Sequence, residues 1–267
     1  MTTIATRINS SGTYLVNGTF DEITTSTIRT TTNTVYASLL DEVTYNTTSP
    51  AIKNLIQYTE QLDNAYWILS DVLPVTANAT IAPDGTLTAD KVTENTATSI
   101  THFIRSTGIL ISSSTQYTWS IYAKAGERTF IDVALGTASF WVNSSRSATF
   151  NLTTGAIVAV SASPLVASIT PAGNGWYRCS ITATSAATPG MSSNGSVRLC
   201  NASASNTYNG DGVSGVFLWG GQLEQNSTAT IYQGIAAANT LVDPGFAKRE
   251  ASDGSQYVTG MFDEVTV

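Results

Sequence analysis

The chain has 267 residues, enough to bury a core of its own, and a formal charge of −7. Charged residues make up only 12% of the sequence, against about 25% in a typical soluble protein. The sequence has no basic run and no apolar stretch of membrane-spanning length, which argues against nucleic acid as a partner and against membrane insertion.

Residues 1–50 are rich in Thr and contain too few large apolar residues for a separate core. Residues 18–24 read Gly-Thr-Phe-Asp-Glu-Ile-Thr, and residues 260–266 read Gly-Met-Phe-Asp-Glu-Val-Thr, so five of seven positions are identical. Each copy places an apolar anchor beside two acids. The predicted assembly residues are therefore Phe20, Asp21, Glu22, Phe262, Asp263 and Glu264.

The repeated ends predict an N-terminal assembly or anchor arm over residues 1–50 and a C-terminal β arm over residues 236–267. Two interpretations stay open for them. The arms are edge strands of the protein's own fold, or they add as strands to a neighbouring subunit, where Phe fills a pocket. Either interpretation predicts a homo-oligomer, a trimer or a dimer, because an isolated Thr-rich arm does not offset its own ordering entropy.

Residues 51–235 alternate apolar and polar side chains in short runs separated by Gly, Asn, Asp and Pro. In Gln116–Ala125, one face carries Tyr117, Trp119, Ile121 and Ala123. In Trp176–Ala183, Cys179 and Ile181 point inward while Trp176 and Arg178 point outward. Such runs predict an all-β, two-sheet antiparallel sandwich. The best helical candidate is the single segment Leu55–Trp67.

A set of eight different short motifs follows a specific order over about two-thirds of the chain. They are Asn54–Tyr58, Asp63–Trp67, Ala82–Thr86, Ala89–Lys91, Tyr117–Lys124, Gly173–Arg178, Tyr208–Gly212 and Leu218–Glu224. In this order they resemble a lectin-like, carbohydrate-binding-module-like jelly-roll module of tailed-bacteriophage structural proteins.

The resemblance implies a jelly-roll domain over residues 51–235 in a virion structural protein, a capsid decoration protein or an accessory fibre subunit of the neck or tail. It implies capsid, neck or tail proteins as partners and a place on the virion surface after assembly in the bacterial cytoplasm. The alternative is a glycan-binding protein for host adhesion. The fold does not decide between them.

Glycan binding requires an exposed aromatic side chain flanked by planar polar groups. The candidates from strand alternation are Trp176, Arg178, Trp141 and Tyr122. The apolar surroundings of Trp119 and Trp219 predict core positions instead, and Trp67 fits either role.

Jelly-roll modules of the carbohydrate-binding kind often hold one structural Ca²⁺, so the resemblance implies a possible calcium site. The candidate ligands are Glu60, Asp63, Asp90 and Glu224. The alternative is that they are ordinary turn and surface acids, and no other cofactor is expected. Cys179 and Cys200 fall on opposite strand faces, which predicts free thiols and, with one histidine, excludes a zinc site.

Catalysis is not expected. His102 is the one histidine and lies in a strand-like run, which favours a structural role. No motif pairs two carboxylates in the way that a glycosidase requires. The sequence therefore predicts a binding or structural protein rather than an enzyme.

Overall fold

The computed structural model of the protein describes residues 53–187 and 191–236, with residues 191 and 192 as backbone only, and the backbone of six further strands. The chain divides into two compact units. One is Ala51–Val242, and the other combines Met1–Pro50 with Asp243–Val267.

Regular structure in the described residues is almost entirely β-strand, because Thr, Val, Ile and aromatic residues fit a pleated surface. In chain order the strands are β1 (Thr3–Ile8), β2 (Tyr14–Phe20), β3 (Ile28–Thr31), β4 (Thr34–Ala37), β5 (Trp67–Ser70), β6 (Thr76–Thr80), β7 (Ala89–Thr93), β8 (Phe103–Ser106), β9 (Ile109–Ile111), β10 (Gln116–Ala125), β11 (Phe130–Leu135), β12 (Ser147–Asn151), β13 (Ala156–Val160), β14 (Val166–Pro171), β15 (Trp176–Thr184), β16 (Met191–Ser193), β17 (Gly195–Cys200), β18 (Gly215–Glu224), β19 (Phe246–Glu250) and β20 (Gln256–Met261). Two 3-10 turns, Ala138–Phe140 and Val142–Ser144, lie between β11 and β12.

Two six-stranded antiparallel sheets form the sandwich. Sheet A has the strand order β14-β15-β10-β18-β7-β6, and sheet B has the order β13-β12-β11-β17-β8-β5. The strand pairs β1–β2, β3–β4 and β19–β20 are antiparallel hairpins outside the sandwich. This architecture confirms the predicted two-sheet antiparallel jelly-roll sandwich with short β arms at both termini.

The core lies between the inner faces of the two sheets. The inward set predicted for β10 is buried there, as are the inward residues of β15. The members of this core cluster from β10, β15, β18, β11 and β17 are Tyr117, Trp119, Ile121, Ala123, Cys179, Ile181, Ala183, Val216, Leu218, Leu223, Ile131, Val133, Leu135, Val197 and Leu199. Strand alternation thus identifies the inner faces of β10, β11 and β15 correctly.

The segment Leu55–Trp67, the best helical candidate in the sequence, does not form a helix. It consists of turns and irregular backbone up to the start of β5. Tyr58 donates to the carbonyl of Ala236 and Thr59 to that of Ile235, while later N–H groups of the segment form turns with carbonyls three residues earlier. The non-local bonds take the place of the i to i−4 bonds of a helix.

A β-bulge interrupts β18 where the sequence contains Gly220-Gly221. The register of the β10–β18 pair shifts between Ser120 and Tyr122. Gly220 has a φ of +65°, and a Cβ atom there would lie 3.0 Å from the ring of Tyr122. A side chain at this position would meet strain and a close contact, so the bulge requires glycine.

Phe20 is the last residue of β2. The other predicted assembly residues lie outside the described residues, and their role stays a prediction. They are Asp21, Glu22, Phe262, Asp263 and Glu264. In the described part of the chain, no helix has the length and apolar character needed to cross a membrane.

Both cysteines are free, as predicted, and both are buried, although strand alternation predicts an outward position for Cys200. Burial raises the pKa of the Cys200 thiol to about 12, and it raises that of Cys179 as well. Both groups are therefore neutral thiols at neutral pH.

Asp90 of β7 fixes one loop and the neighbouring edge strand β6 to its own strand. Its carboxylate accepts hydrogen bonds from the backbone N–H groups of Leu62 at 2.7 Å and Asn78 at 2.9 Å. Asp90 is only 1% exposed. Burial raises the pKa of Asp90 to about 6, and nearby Asp63 adds to the rise, although both hydrogen bonds oppose it.

We predict that Asp90 makes the sandwich less stable as the pH rises. Between the ordinary pKa of 3.8 and about 6, the folded protein keeps a proton that the unfolded chain releases. The free energy of unfolding therefore falls with pH in this window, by about 3 kcal/mol in all at about 1.4 kcal/mol per unit. Asp90→Asn removes this titration, so the unfolding free energy of the variant should rise relative to wild type between pH 4 and pH 7.

Urea denaturation followed by tryptophan fluorescence measures this difference, because the five Trp residues all lie within residues 67–219. Asp211→Asn is the control. The pKa of Asp211 is lowered by hydrogen bonds from Ser214, so this group titrates below the window. Its difference from wild type should be constant from pH 5 to pH 7. A constant difference for Asp90→Asn over the same range would contradict the assignment.

Candidate functional site

A groove crosses the outer face of sheet A, with a volume of about 370 Å³. It is bounded by β14, β15, the outer face of β10 and the loop that follows β18. Hydroxyl groups dominate its polar lining, from Ser168, Thr170, Ser180, Thr182, Ser227 and Thr228. Because Ser168 pairs with Ser180 and Thr170 with Arg178 across β14 and β15, these groups stand in register on one face.

Arg178 supplies the positive charge in this groove. Its Nη1 donates to the carbonyl oxygen of Thr230 at 2.6 Å, and its Nη2 donates to Oγ of Ser120 at 2.9 Å. The guanidinium carbon lies 5.4 Å from the ring centroid of Tyr122. The buried Nε has no hydrogen-bond partner among the described residues. The cation is therefore held in one orientation before any ligand binds.

Tyr122 forms an aromatic wall of the groove. Its ring makes an edge contact with Trp219, with centroids 5.3 Å apart, and another with Tyr232 at 5.9 Å. Burial raises the pKa of Tyr122, and the positive charge of Arg178 opposes the rise. The phenol is thus neutral at physiological pH and fixed by aromatic neighbours.

The loop after β18 is tied to the strand by a buried polar network. Glu224 accepts hydrogen bonds from the Thr230 N–H at 2.9 Å, from the Thr230 hydroxyl at 2.7 Å and from Nε2 of Gln222 at 2.8 Å. This network places the Thr230 carbonyl that holds Arg178. Glu224 therefore helps to position Arg178 in the groove by holding Thr230.

The structure brings together only two of the four predicted glycan-binding residues. Tyr122 and Arg178 share the groove, but the prediction that Trp176 and Trp141 are exposed is wrong, since each is 2% exposed. Trp176 does point away from the main core, where Ala82, Ala89 and Trp219 cover it. Strand alternation predicts on which face of the sheet a side chain lies, but not whether other residues cover that face.

Trp141 lies in the main core, with its Nε1 donating to the Gly136 carbonyl at 2.7 Å. Trp119 is fully buried, as predicted, and Trp67 also lies in the core. Trp219 is buried in the smaller cluster with Trp176. No described tryptophan is an open platform for a sugar ring.

The four predicted calcium ligands do not form one site. Within the described residues, no three His, Cys, Asp or Glu side chains lie close enough together to hold a metal ion. Asp90 and Glu224 are buried and accept hydrogen bonds from other groups, and Glu60 accepts one from Tyr232 at 3.1 Å. Asp63 is exposed. Asp63 fits the alternative of surface acids, whereas Asp90 and Glu224 are buried in β7 and β18 and fit neither description.

His102 is buried beside the ring of Tyr208, with centroids 4.8 Å apart. Its Nδ1 lies 2.5 Å from the carbonyl oxygen of Asp71. The residue does not line the groove on sheet A. A structural role for His102 stays the prediction.

Sequence reasoning missed most of the groove lining. Ser168 and Thr170 lie on an edge strand, and the loop at 227–228 is held beside the groove by a bond from a distant residue, from the Thr182 hydroxyl to the Ser227 carbonyl. Small hydroxyl residues are too common in this chain to stand out. The pairing of β14 with β15 was the signal needed, and no local pattern encodes it.

No protein-family model matches the chain, and no curated protein matches it. Among solved structures, the chain is similar to the CBM22-1-GH10 modules of a Clostridium thermocellum endo-1,4-beta-D-xylanase complexed with xylohexaose. The sequence identity is 13% and the TM-score is 0.37. The similar region covers 70% of this chain and 29% of that chain. At this TM-score the likeness carries no argument about a ligand or an activity.

Proposed function

We propose that this protein binds glycans through the groove on sheet A. The observation that carries the proposal is the lining of that groove: rows of hydroxyl groups, one fixed guanidinium and one aromatic wall. Saccharides are dense in hydroxyl groups that donate and accept hydrogen bonds, and their C–H faces pack on aromatic rings. A groove of about 370 Å³ is within the range of small-ligand sites.

The groove is prepared for a ligand in two respects. Arg178 is already oriented by Thr230 and Ser120, so little side-chain entropy is lost on binding. Apart from this cation, the lining is uncharged. The proposal is therefore a neutral or weakly acidic saccharide, and it carries the expectation that the chain binds its ligand without catalysis.

We predict that Ser180→Tyr, which fills the groove, lowers glycan affinity at least about tenfold, the equivalent of about 1.4 kcal/mol. Ser180 is central in the lining and lies beside Arg178 on the same face of β15. A glycan array probed with the full chain identifies the ligand, and a titration with that ligand measures the affinities.

Ser113→Tyr is the matched control, because Ser113 is exposed in a turn outside the groove and the residue change is the same. Arg178→Ala is the second test and should also weaken binding, since it removes the cation. If the intact chain binds no glycan, or if Ser180→Tyr and Ser113→Tyr bind equally well, the proposal fails.

A second candidate function rests on the terminal segments. The near-identical seven-residue segments at 18–24 and 260–266 occur near the two ends of the sequence, and strand hairpins precede and follow the sandwich strands along the chain. We propose that these arms attach the protein to copies of itself and to other proteins of a bacteriophage virion, with the sandwich displayed on the virion surface. The oligomer proposed is a trimer or a dimer.

We predict that the full chain is an oligomer and that the double variant Phe20→Glu, Phe262→Glu shifts it to monomer. Charged side chains in place of the two anchors would oppose burial in an interface. Light scattering coupled to gel filtration measures the mass, and the urea midpoint of tryptophan fluorescence should stay unchanged. The control is Phe103→Glu, at a sandwich position outside the arms, which should leave the mass unaltered. A monomeric wild-type chain would contradict this candidate.

A further inference from the structure

A second cavity, of about 420 Å³, lies on the outer face of sheet B. Three arginines line it, although the whole sequence contains only 12 Lys and Arg residues. They are Arg105 of β8, Arg198 of β17 and Arg146, which lies immediately before β12. No Asp or Glu of the described residues lines the cavity.

The pairing of three strands brings these residues together. Arg105 pairs with Ser196 of β17, and Arg198 pairs with Asp132 of β11. Arg105 and Arg198 alternate with Ile104, Val197 and Leu199, which are buried in the core. Both guanidinium groups therefore lie on the outer face of sheet B, away from the groove on sheet A.

The protein itself satisfies little of the hydrogen-bonding capacity of these arginines. Each guanidinium carries about five N–H donors. Arg198 donates from Nη1 to Oδ1 of Asp132 at 2.9 Å, and Arg146 donates from Nη1 to the Leu135 carbonyl at 2.7 Å. Arg105 is half-buried, and its guanidinium makes no hydrogen bond to a described residue. The remaining donors are available to a ligand or to water.

The described residues do not balance the positive charge in the cavity. Three guanidinium groups face one carboxylate, that of buried Asp132, so two positive charges remain. Burial lowers the pKa of Arg146, and the charge of Arg198 lowers it further. An anion in the cavity would relieve this repulsion. The surplus is notable in a chain whose formal charge is −7.

We infer that the cavity on sheet B binds an oxyanion group, a carboxylate, sulfate or phosphate, through Arg105, Arg146 and Arg198. The planar fork of a guanidinium matches two oxygens of such a group. Asn194, Asn206 and Thr101 line the same cavity and offer amide and hydroxyl groups to a polar ligand. The anion is free or is carried by a sugar acid. The inference does not rest on the glycan-binding proposal, since the two sites lie on different sheets.

The test is calorimetric titration of the full chain at low ionic strength, about 0.01 M, where the Debye length is about 30 Å. The probes are inorganic sulfate, inorganic phosphate, galacturonic acid and, as the neutral counterpart, galactose. We expect saturable binding of at least one of the anions and no binding of galactose at this site. Tighter binding of galacturonic acid than of sulfate and phosphate identifies a sugar acid, and the reverse order identifies a free anion.

Arg105→Gln should weaken anion binding at least about tenfold, because it removes one charged hydrogen-bonding partner. Lys53→Gln is the matched control: it makes the same change of charge at an exposed position outside the cavity and should leave affinity unchanged. Arg105→Lys keeps the charge but loses the planar fork, and should give an intermediate affinity.

A second pair of variants places the test on an exposed residue. Thr137 lines the cavity and is exposed, so its replacement leaves the core intact. Thr137→Glu should weaken anion binding at least about tenfold by repulsion, while Thr137→Gln should not. The inference is overturned if none of the three anions binds saturably, or if Arg105→Gln and Thr137→Glu both bind like wild type.

Discussion

The rest of the structure depends on one set of hydrogen bonds. These bonds join the segment before β5 and the segment after β18 to the bulge in β18. The side chain of Asn54 accepts from the Leu223 N–H at 3.1 Å and donates to the carbonyls of Gly221 at 3.0 Å and Gln233 at 2.9 Å. Thr59 accepts at its carbonyl from the Gly220 N–H at 3.0 Å, and its hydroxyl accepts from the Ile235 N–H at 2.9 Å. Hydrogen bonds thus join β18 to the segment that precedes β5 and to the segment that follows β18.

The geometry of the groove on sheet A follows from these hydrogen bonds. Because β18 bulges at Gly220, the ring of Tyr232 packs against Tyr122 and Trp219, and the Thr59 hydroxyl holds the Tyr232 hydroxyl at 2.6 Å. Tyr122 in turn lies under Arg178. A bulge that creates local irregularity in a core strand therefore aims an aromatic ring and a cation at the outer face. The same glycine that costs β18 one regular pair with β10 makes the site possible.

The sequence predicted the inner faces of the strands well because alternation is a local property. Tyr117 and Ile181 are in the core as their spacing requires. Alternation did not predict the burial of Trp176, because the residues that cover it, Ala82 and Trp219, come from distant parts of the chain. The segment Leu55–Trp67 does not form a helix for a related reason: it also bonds to a distant part of the chain, as where the Thr59 hydroxyl accepts from the N–H of Ile235, 176 residues away.

Low overall charge is what gives the two outer faces different characters. With only 12% charged residues, one arginine is enough to define the groove on sheet A, where hydroxyl groups form the rest of the polar lining. On sheet B, three arginines that are 41 and 52 residues apart in sequence meet over one buried carboxylate. No basic run marks them, so only strand pairing reveals the surplus of charge. Since a core of apolar side chains separates the two sheets, a ligand bound on one outer face would make no contact with a ligand on the other.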